Sequence, residues 1–70
     1  MSDYSSDNVF QEGDRVELSP ACDLWMRGAK FGTVVSVYRK QAPRIYYLKM
    51  DNPRVKREVR STADLIRKVG

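Results

Sequence analysis

The 70-residue sequence contains no histidine and a single cysteine, Cys22, and both shortages exclude chemistry. Without histidine there is no Ser/His or Cys/His nucleophile pair, and the commonest ligand of protein zinc and iron sites is missing. With one cysteine there is no internal disulfide. A reducing cytoplasm is the expected compartment, because small secreted domains usually carry several bridges. We therefore expect no metal site, no cofactor and no enzymatic activity.

Long apolar runs are lacking as well. Apolar stretches last only a few residues, so we expect no transmembrane span, and nothing resembles a signal peptide or a lipidation motif. The chain is long enough for one small domain with little core to spare. Because an enclosed pocket would remove core, an exposed binding face is a more economical expectation than a deep active site.

The candidate catalytic side chains lack partners. Cys22 has the carboxylates of Glu17 and Asp23 near it in sequence and no base, so we predict a small buried or partly buried filler and not a reactive thiol. The serines likewise have no base to activate them. Asp14 and Glu17 lie where polar strand faces and turns are expected, which makes paired acid/base catalysis a poor hypothesis.

Charge is unevenly distributed along the chain. Residues 1–26 hold six acidic residues and one arginine, a net charge of −5. Residues 27–70 hold twelve lysines and arginines and three acidic residues, a net charge of +9. A block this basic attracts polyanions in a salt-dependent manner. The alternative is a solvated surface that only provides solubility.

Short strand-like patterns separated by turn residues predict an all-β fold. Residues 1–8 are polar, serine-rich and acidic and predict a flexible tail, and residues 9–70 then form one domain. Residues 20–26 predict one irregular or helical turn that ends at Gly28, and Gly32 suggests a bulge or sharp bend. Strands are predicted at residues 14–18, 31–40, 44–50, 55–59 and 65–69. Five short strands without a long helix indicate a small five-stranded barrel.

Alternation along these strands predicts which side chains form the core. Tyr47 and Lys49 point outward. Val55, Arg57 and Val59 share one face of the fourth predicted strand, so Arg57 extends from a barrel end or the strand is bulged. The predicted interior consists of Val16, Leu18, Val34, Val37, Tyr46, Leu48, Met50, Val59, Leu65 and Val69.

Residues 13–37 resemble the KOW motif of SH3-like barrels, in which a glycine and following valines form a bent strand after a loop. Three residues separate Gly28 from Gly32, where fewer are typical of the motif. The other residues that carry the resemblance are Val34 and Val37. KOW domains commonly bind RNA or ribosomal and transcription partners, so the resemblance implies an SH3-like (KOW-type) barrel with such a role.

Two further resemblances concern overlapping residues. Residues 20–32 are similar to a pattern shared by small uncharacterised bacterial and phage proteins, carried by Pro20, Ala21, Asp23, Trp25, Met26, Gly28, Phe31 and Gly32. Residues 13–69 resemble the small E subunit of photosystem I, an SH3-like barrel, which implies docking of a protein partner. That resemblance is carried by Val16, Leu18, Trp25, the segments 32–34 and 36–37, Asp64, Leu65 and Val69.

The basic residues, with aromatic residues among them, predict a nucleic-acid-binding face. Neighbouring antiparallel strands bring outward cations together, and contacts largely to phosphates are expected, with RNA or DNA as the partner. The candidate binding residues are Trp25, Arg27, Lys30, Arg39, Lys40, Arg44, Tyr47, Lys49, Lys56 and Arg57. Trp25 has two interpretations: it closes one end of the core, or it is an exposed stacking platform beside Arg27 and Lys30.

The alternative function is a protein-interaction module. A phage or bacterial adaptor that docks an acidic protein or completes a larger complex would need the same basic surface. Many small barrels bind proteins, and the resemblance to a photosystem subunit favours this hypothesis. Neither alternative involves a membrane or a metal.

Overall fold

The structure, a computed structural model, describes residues 4–69, so Met1 to Asp3 of the predicted tail and Gly70 lie outside the described residues. Its elements are β1 (Arg15–Leu18), α1 (Asp23–Met26), β2 (Phe31–Tyr38), β3 (Ile45–Met50), β4 (Val59–Ser61), a 3₁₀ helix (Ala63–Leu65) and β5 (Ile66–Lys68). The five strands form one antiparallel sheet in the order β4-β3-β2-β1-β5. The predicted all-β class with five strands is confirmed.

The sheet has two distinct ends. At one end β2 turns into β3 through residues 39–44. The other end contains two connections. One joins the end of β1 to the start of β2 and includes the short helix α1, and the other is the long connection from the end of β3 to β4. Because β3 has six residues and a strand rises about 3.3 Å per residue, the two ends are separated by about 17 Å. This separation decides which of the cations can act together.

Gly32 permits the close approach of β2 to β3. A Cβ at this position would lie 2.8 Å from Met50 Sδ and 2.9 Å from the carbonyl oxygen of Lys49. These distances are shorter than real Cβ contacts, so only glycine fits here without displacement. The register shift between β2 and β3 lies between Val34 and Ser36, and not at Gly32, where a bulge or sharp bend was predicted.

Most of the predicted core is buried. The interior positions of β1, β2 and β3 alternate as predicted, with Val16, Leu18, Val34, Tyr46, Leu48 and Met50 each at most 4 % exposed. Val37 and Val59 are half-buried and pack against this core. Near the end of the chain Ile66 is buried, whereas Leu65 and Val69 are half-buried, because the 3₁₀ helix occupies residues 63–65 and shifts the start of the alternation.

Phe10 is a core residue that the sequence pattern did not predict. Its ring meets Tyr46 edge to face with 5.3 Å between centroids, and its backbone N–H donates to the Tyr46 hydroxyl at 3.3 Å. This segment precedes the first strand and has no alternation, so periodicity gives no sign of its burial. The other buried apolar residues that were not predicted are Ala29, Ile45, Ala63 and Ile66.

The fourth strand is shorter and later than predicted. It comprises Val59–Ser61 instead of residues 55–59, with Val59 opposite Leu48 and Ser61 opposite Tyr46. Val55 packs half-buried against the core from an irregular segment. Lys56 and Arg57 lie in the same segment and not on a strand. The predicted conflict, with Arg57 on the same strand face as valines, therefore does not arise.

Candidate nucleic-acid interface

The candidate cations divide between the two ends of the sheet. Arg39, Lys40 and Arg44 belong to the connection between β2 and β3. At the opposite end, the connection between β1 and β2 carries Arg27 and Lys30, and the connection between β3 and β4 carries Lys56 and Arg57. These cations therefore do not gather at one place on the sheet, because three lie at one end and four at the other, about 17 Å away. The two ends have different electrostatic surroundings.

Carboxylates accompany the cations at the end formed by β2 and β3. The Arg39 guanidinium donates to Glu12 Oε1 at 2.8 Å, and this hydrogen bond lowers the pKa of the Glu12 carboxyl. Lys40 and Arg44 line a shallow depression together with Asp7 and its neighbours in the N-terminal segment. An incoming polyanion would meet acidic side chains here as well as basic ones.

Three other cations are paired around β1. Arg67 donates to Glu17 Oε1 at 2.7 Å, Lys68 lies 3.8 Å from Asp14, and Arg15 forms an ion pair with Asp51. With Arg39, these account for four of the thirteen lysines and arginines. The other nine form no ion pair with any residue between Tyr4 and Val69. The acids of residues 12–17 therefore neutralise cations close to β1.

Four cations that form no ion pair with residues 4–69 lie around one groove, between α1 and the β3–β4 connection. We call it the loop-end groove. Its rim carries four exposed cations, Arg27, Arg54, Lys56 and Arg57. Its remaining lining consists of Leu24, Asn52 and Val55, all half-buried. No acidic side chain from the described part of the chain lines it.

Local hydrogen bonds shape the β3–β4 side of the loop-end groove. The side-chain oxygen of Asn52 accepts the backbone N–H of Arg54 at 2.9 Å, and the backbone carbonyl of Asn52 accepts the N–H of Val55 at 3.0 Å. This Asx turn, with Pro53 inside it, reverses the chain directly after β3. It returns Val55 to the core and leaves the side chains of Arg54 and Lys56 exposed.

The α1 side of the loop-end groove is a single helical turn. Arg27 is its C-terminal cap, with its N–H directed at the carbonyls of Asp23 and Leu24. Gly28 follows at φ +94°, a left-handed conformation that suits glycine, and ends the turn as predicted. Leu24 meanwhile packs against the core. Arg27 is thereby placed at the rim while Leu24 contributes to the floor.

Trp25 packs against the core, as the first of its two interpretations expects. Its side chain is half-buried, and the Lys30 ammonium lies 4.5 Å from the ring centroid. The indole N–H is buried and has no hydrogen-bond partner among residues 4–69. Lys30 thus covers one ring face, which is not open for stacking in this conformation. Lys30 also borders a second shallow groove that shares Asn52 with the first.

Tyr47 and Lys49 lie on the outer face of β3, as predicted. Lys49 is exposed opposite Thr33, and Tyr47 is half-buried opposite Ser36 and Arg60. Lys49 is one residue from the end of β3 at which the loop-end groove lies, whereas Tyr47 is nearer the middle of the strand. Of the ten candidate residues, Arg27, Lys56 and Arg57 share the loop-end groove, and Trp25, Lys30 and Lys49 lie at the same end of the sheet.

The sequence reasoning missed three residues of the loop-end groove. Arg54 belongs to the basic block but was not among the ten candidates, Leu24 was assigned no binding role, and Asn52 was assigned only to a turn. The Asp-Asn-Pro signal at residues 51–53 predicts a turn. Strand periodicity does not encode the direction in which the chain leaves this turn. That direction places Arg54 and Lys56 in one groove with α1.

Cys22 is half-buried and packs against the core, in agreement with its predicted place as a filler. Burial raises the pKa of its thiol, and the charges of Asp23 and Asp64 raise it further, outweighing a backbone hydrogen bond at Ser19. Across residues 4–69, no three side chains of the metal-binding types lie together. No helix in this range is both long and apolar enough to cross a bilayer.

Comparisons of the chain with family models, with curated proteins and with solved structures give no significant match.

Proposed function

We propose that this chain is a non-enzymatic binding module that holds nucleic acid, RNA or DNA, at the loop-end groove. The observation that carries the proposal is the set of four cations around one groove, none of them paired with a carboxylate of residues 4–69. The proposed setting is a reducing cytoplasm, in keeping with a single unpaired cysteine. A closed SH3-like barrel of the KOW type remains the proposed finer description of the fold.

The binding mechanism is electrostatic. Each lysine or arginine that neutralises a phosphate releases a condensed counterion, so affinity falls as salt rises, with a slope of about −0.7 per contact for single strands. Arginine adds paired hydrogen bonds to phosphate oxygens, and three of the four rim cations are arginines. No rim cation is paired with a carboxylate of residues 4–69, so binding need not first break such an ion pair.

The chain supplies a matched pair of variants to test this proposal. Lys56→Ala/Arg57→Ala removes two charges from the loop-end groove, and Lys40→Ala/Arg44→Ala removes two charges about 17 Å away. Because the Debye length is about 10 Å at 0.1 M salt, the distant pair contributes little to phosphates bound in the groove. Fluorescence anisotropy with a labelled oligonucleotide over a salt series measures both affinity and slope.

We expect Lys56→Ala/Arg57→Ala to weaken binding about 20-fold at 0.1 M salt and to reduce the slope by about 1.4, with almost no effect near 1 M. The control variant should change affinity less than threefold. Equal losses in both variants would mean that no localised site exists. Binding by the unmodified protein that is no tighter at low salt than binding of an uncharged control would refute the proposal.

An acidic protein partner is the second candidate. Met26, in α1 at the same end of the sheet, is 80 % exposed, and Phe31 is 41 % exposed. Exposed apolar side chains next to cations are typical of protein interfaces. A pull-down from native lysate with and without nuclease distinguishes the two candidates. Partners that survive nuclease favour protein docking, and partners that disappear favour nucleic acid.

A further inference from the structure

We infer that the loop-end groove accepts an unstacked base of a single strand, so that its ligand is single-stranded and not duplex nucleic acid. This inference rests on the function proposed above and concerns the same groove. Phosphate binding alone requires only the rim cations. The floor of the groove is apolar and has one amide group beside it. These groups indicate which part of the nucleic acid binds there.

The floor is apolar and held in place by the core. Leu24 and Val55 are half-buried and pack against the buried cluster, while the four cations around them are exposed. A base in a duplex has both faces covered by its neighbours, so it has no free face to place on aliphatic side chains. A base of a single strand has such a face and loses water-exposed apolar surface when it packs there.

Asn52 supplies one polar group beside this floor. Its side-chain oxygen faces the N–H of Arg54, and since a backbone N–H can only donate, the orientation of the amide is determined. The amide NH₂ therefore points away from that hydrogen bond, and no residue between Tyr4 and Val69 accepts from it. It is placed to donate to a carbonyl or ring nitrogen on the edge of a base, as single-strand readers do.

The rim fits the same ligand. Arg54, Lys56 and Arg57 follow one another closely along the chain on one side, and Arg27 lies on the other. A strand that lays one base on the floor keeps its flanking phosphates at the rim, where these cations are exposed. The carboxylates of acidic peptides also satisfy the cations, so the test below includes poly-glutamate.

The test compares three labelled probes: a short single strand of mixed sequence, an abasic strand with the same number of phosphates, and the duplex with the complementary strand. Val55→Ala shortens the floor without changing charge. Because it removes apolar area that the base would bury, we expect this variant to bind the single strand about fivefold more weakly, and to bind the abasic strand and the duplex as the unmodified protein does. The unmodified protein should bind the single strand about tenfold more tightly than the abasic strand, through the apolar area that the base buries.

Asn52→Asp is the second variant, in case Val55→Ala fails to fold. Aspartate keeps the oxygen that accepts from Arg54 but replaces the amide donor by an acceptor. Its added charge weakens every probe, so the informative quantity is the ratio of affinities for the single strand and the abasic strand. We expect this ratio to fall about threefold, the cost of one lost neutral hydrogen bond. An unchanged ratio in both variants would contradict the inference.

The failures of the two proposals are distinguishable. If all three probes bind with the expected salt slope but neither variant changes the preference for bases, the groove binds phosphates only and the inference about the base is wrong. If no probe binds at low salt, the proposed function itself is wrong. If poly-glutamate binds as tightly as the single strand, the groove is a docking site for acidic proteins, and both proposals fail.

Discussion

Replacing Gly32 by alanine is expected to destabilise the domain by about 1–2 kcal/mol. The added Cβ would lie 2.8 Å from Met50 Sδ and 2.9 Å from the Lys49 carbonyl oxygen. Overpacking of this kind costs about 1–3 kcal/mol, and reduced entropy of the unfolded chain returns about 0.4–1 kcal/mol. For a domain of this size the net loss lowers Tm by about 10 °C.

Urea denaturation followed by the fluorescence of Trp25, the only tryptophan, measures this loss. A double-mutant cycle with Met50→Ala tests its cause. Shortening Met50 removes the contact with sulfur but leaves the Lys49 carbonyl in place. The double variant should therefore lose less stability than the sum of the two single variants. Part of the destabilisation by Gly32→Ala should still remain when Met50 is alanine, because of the Lys49 carbonyl. Gly13→Ala is the control, because Gly13 has φ +95° and nothing within 4 Å of a Cβ. It should lose about 1 kcal/mol through backbone conformation alone and show no coupling to Met50. A Gly32→Ala variant as stable as the unmodified protein would refute the reasoning.

Three further predictions follow from the core and from the pKa shifts. Phe10→Ala should cost about 3–5 kcal/mol in the free energy of unfolding, because it empties the space against Tyr46 and removes a ring pair; a loss below about 1 kcal/mol would mean that Phe10 is not core. The hydrogen bond from Arg15 lowers the pKa of Asp51 from its ordinary 3.8. Its stabilising contribution is therefore present above that pH and lost as the pH falls through the lowered value, and Asp51→Asn should flatten this part of an acid-unfolding curve. Burial raises the pKa of the Cys22 thiol, so alkylation by iodoacetamide at pH 8 should be slower than for a cysteine in an unstructured peptide, and faster alkylation would contradict the structure.

The part of the fold that depends on alternation was predictable from the sequence. In β1, and in β3 from Tyr46 onward, every second side chain is buried, so these positions follow directly from the pattern. Ile45, buried next to Tyr46, breaks the alternation and was not predicted. Phe10 and Ala63 are buried outside any strand, and their burial depends on which surfaces close over them. The same limit applies to β4: residues 55–59 alternate as a strand would, yet the Asx turn at Asn52 and the packing of Val55 keep that segment off the sheet.

The candidate site was predictable in composition but not in place. The excess of basic residues after position 26 indicates the residue types and favours a polyanion as the proposed ligand. It does not say that residues 39–44 and residues 54–57 leave the sheet at opposite ends. That fact comes from strand order and strand length, through the separation of about 17 Å along β3. The group of cations at the loop-end groove is therefore smaller than the sequence suggests: it has four members and does not include all the candidate cations.

Topology also converts the charge asymmetry of the chain into an asymmetry of the surface. β1 lies between β2 and β5, so the acids at positions 12–17 meet Arg39, Arg67 and Lys68, which are near that strand. The remaining acid that pairs, Asp51, lies at the loop end but is held by Arg15 from β1. Each of these four acids is thus paired with a cation outside the loop-end groove. Reversing a charge at each end of the sheet gives a sharp consequence. Glu12→Lys adds positive charge beside Arg39 at the β2–β3 end, about 17 Å from the loop-end groove, so under screening at 0.1 M salt it should leave oligonucleotide affinity within about twofold. Lys56→Glu at the rim should reduce affinity by more than tenfold. Comparable effects of the two charge reversals would show that net charge, and not the groove, attracts the polyanion.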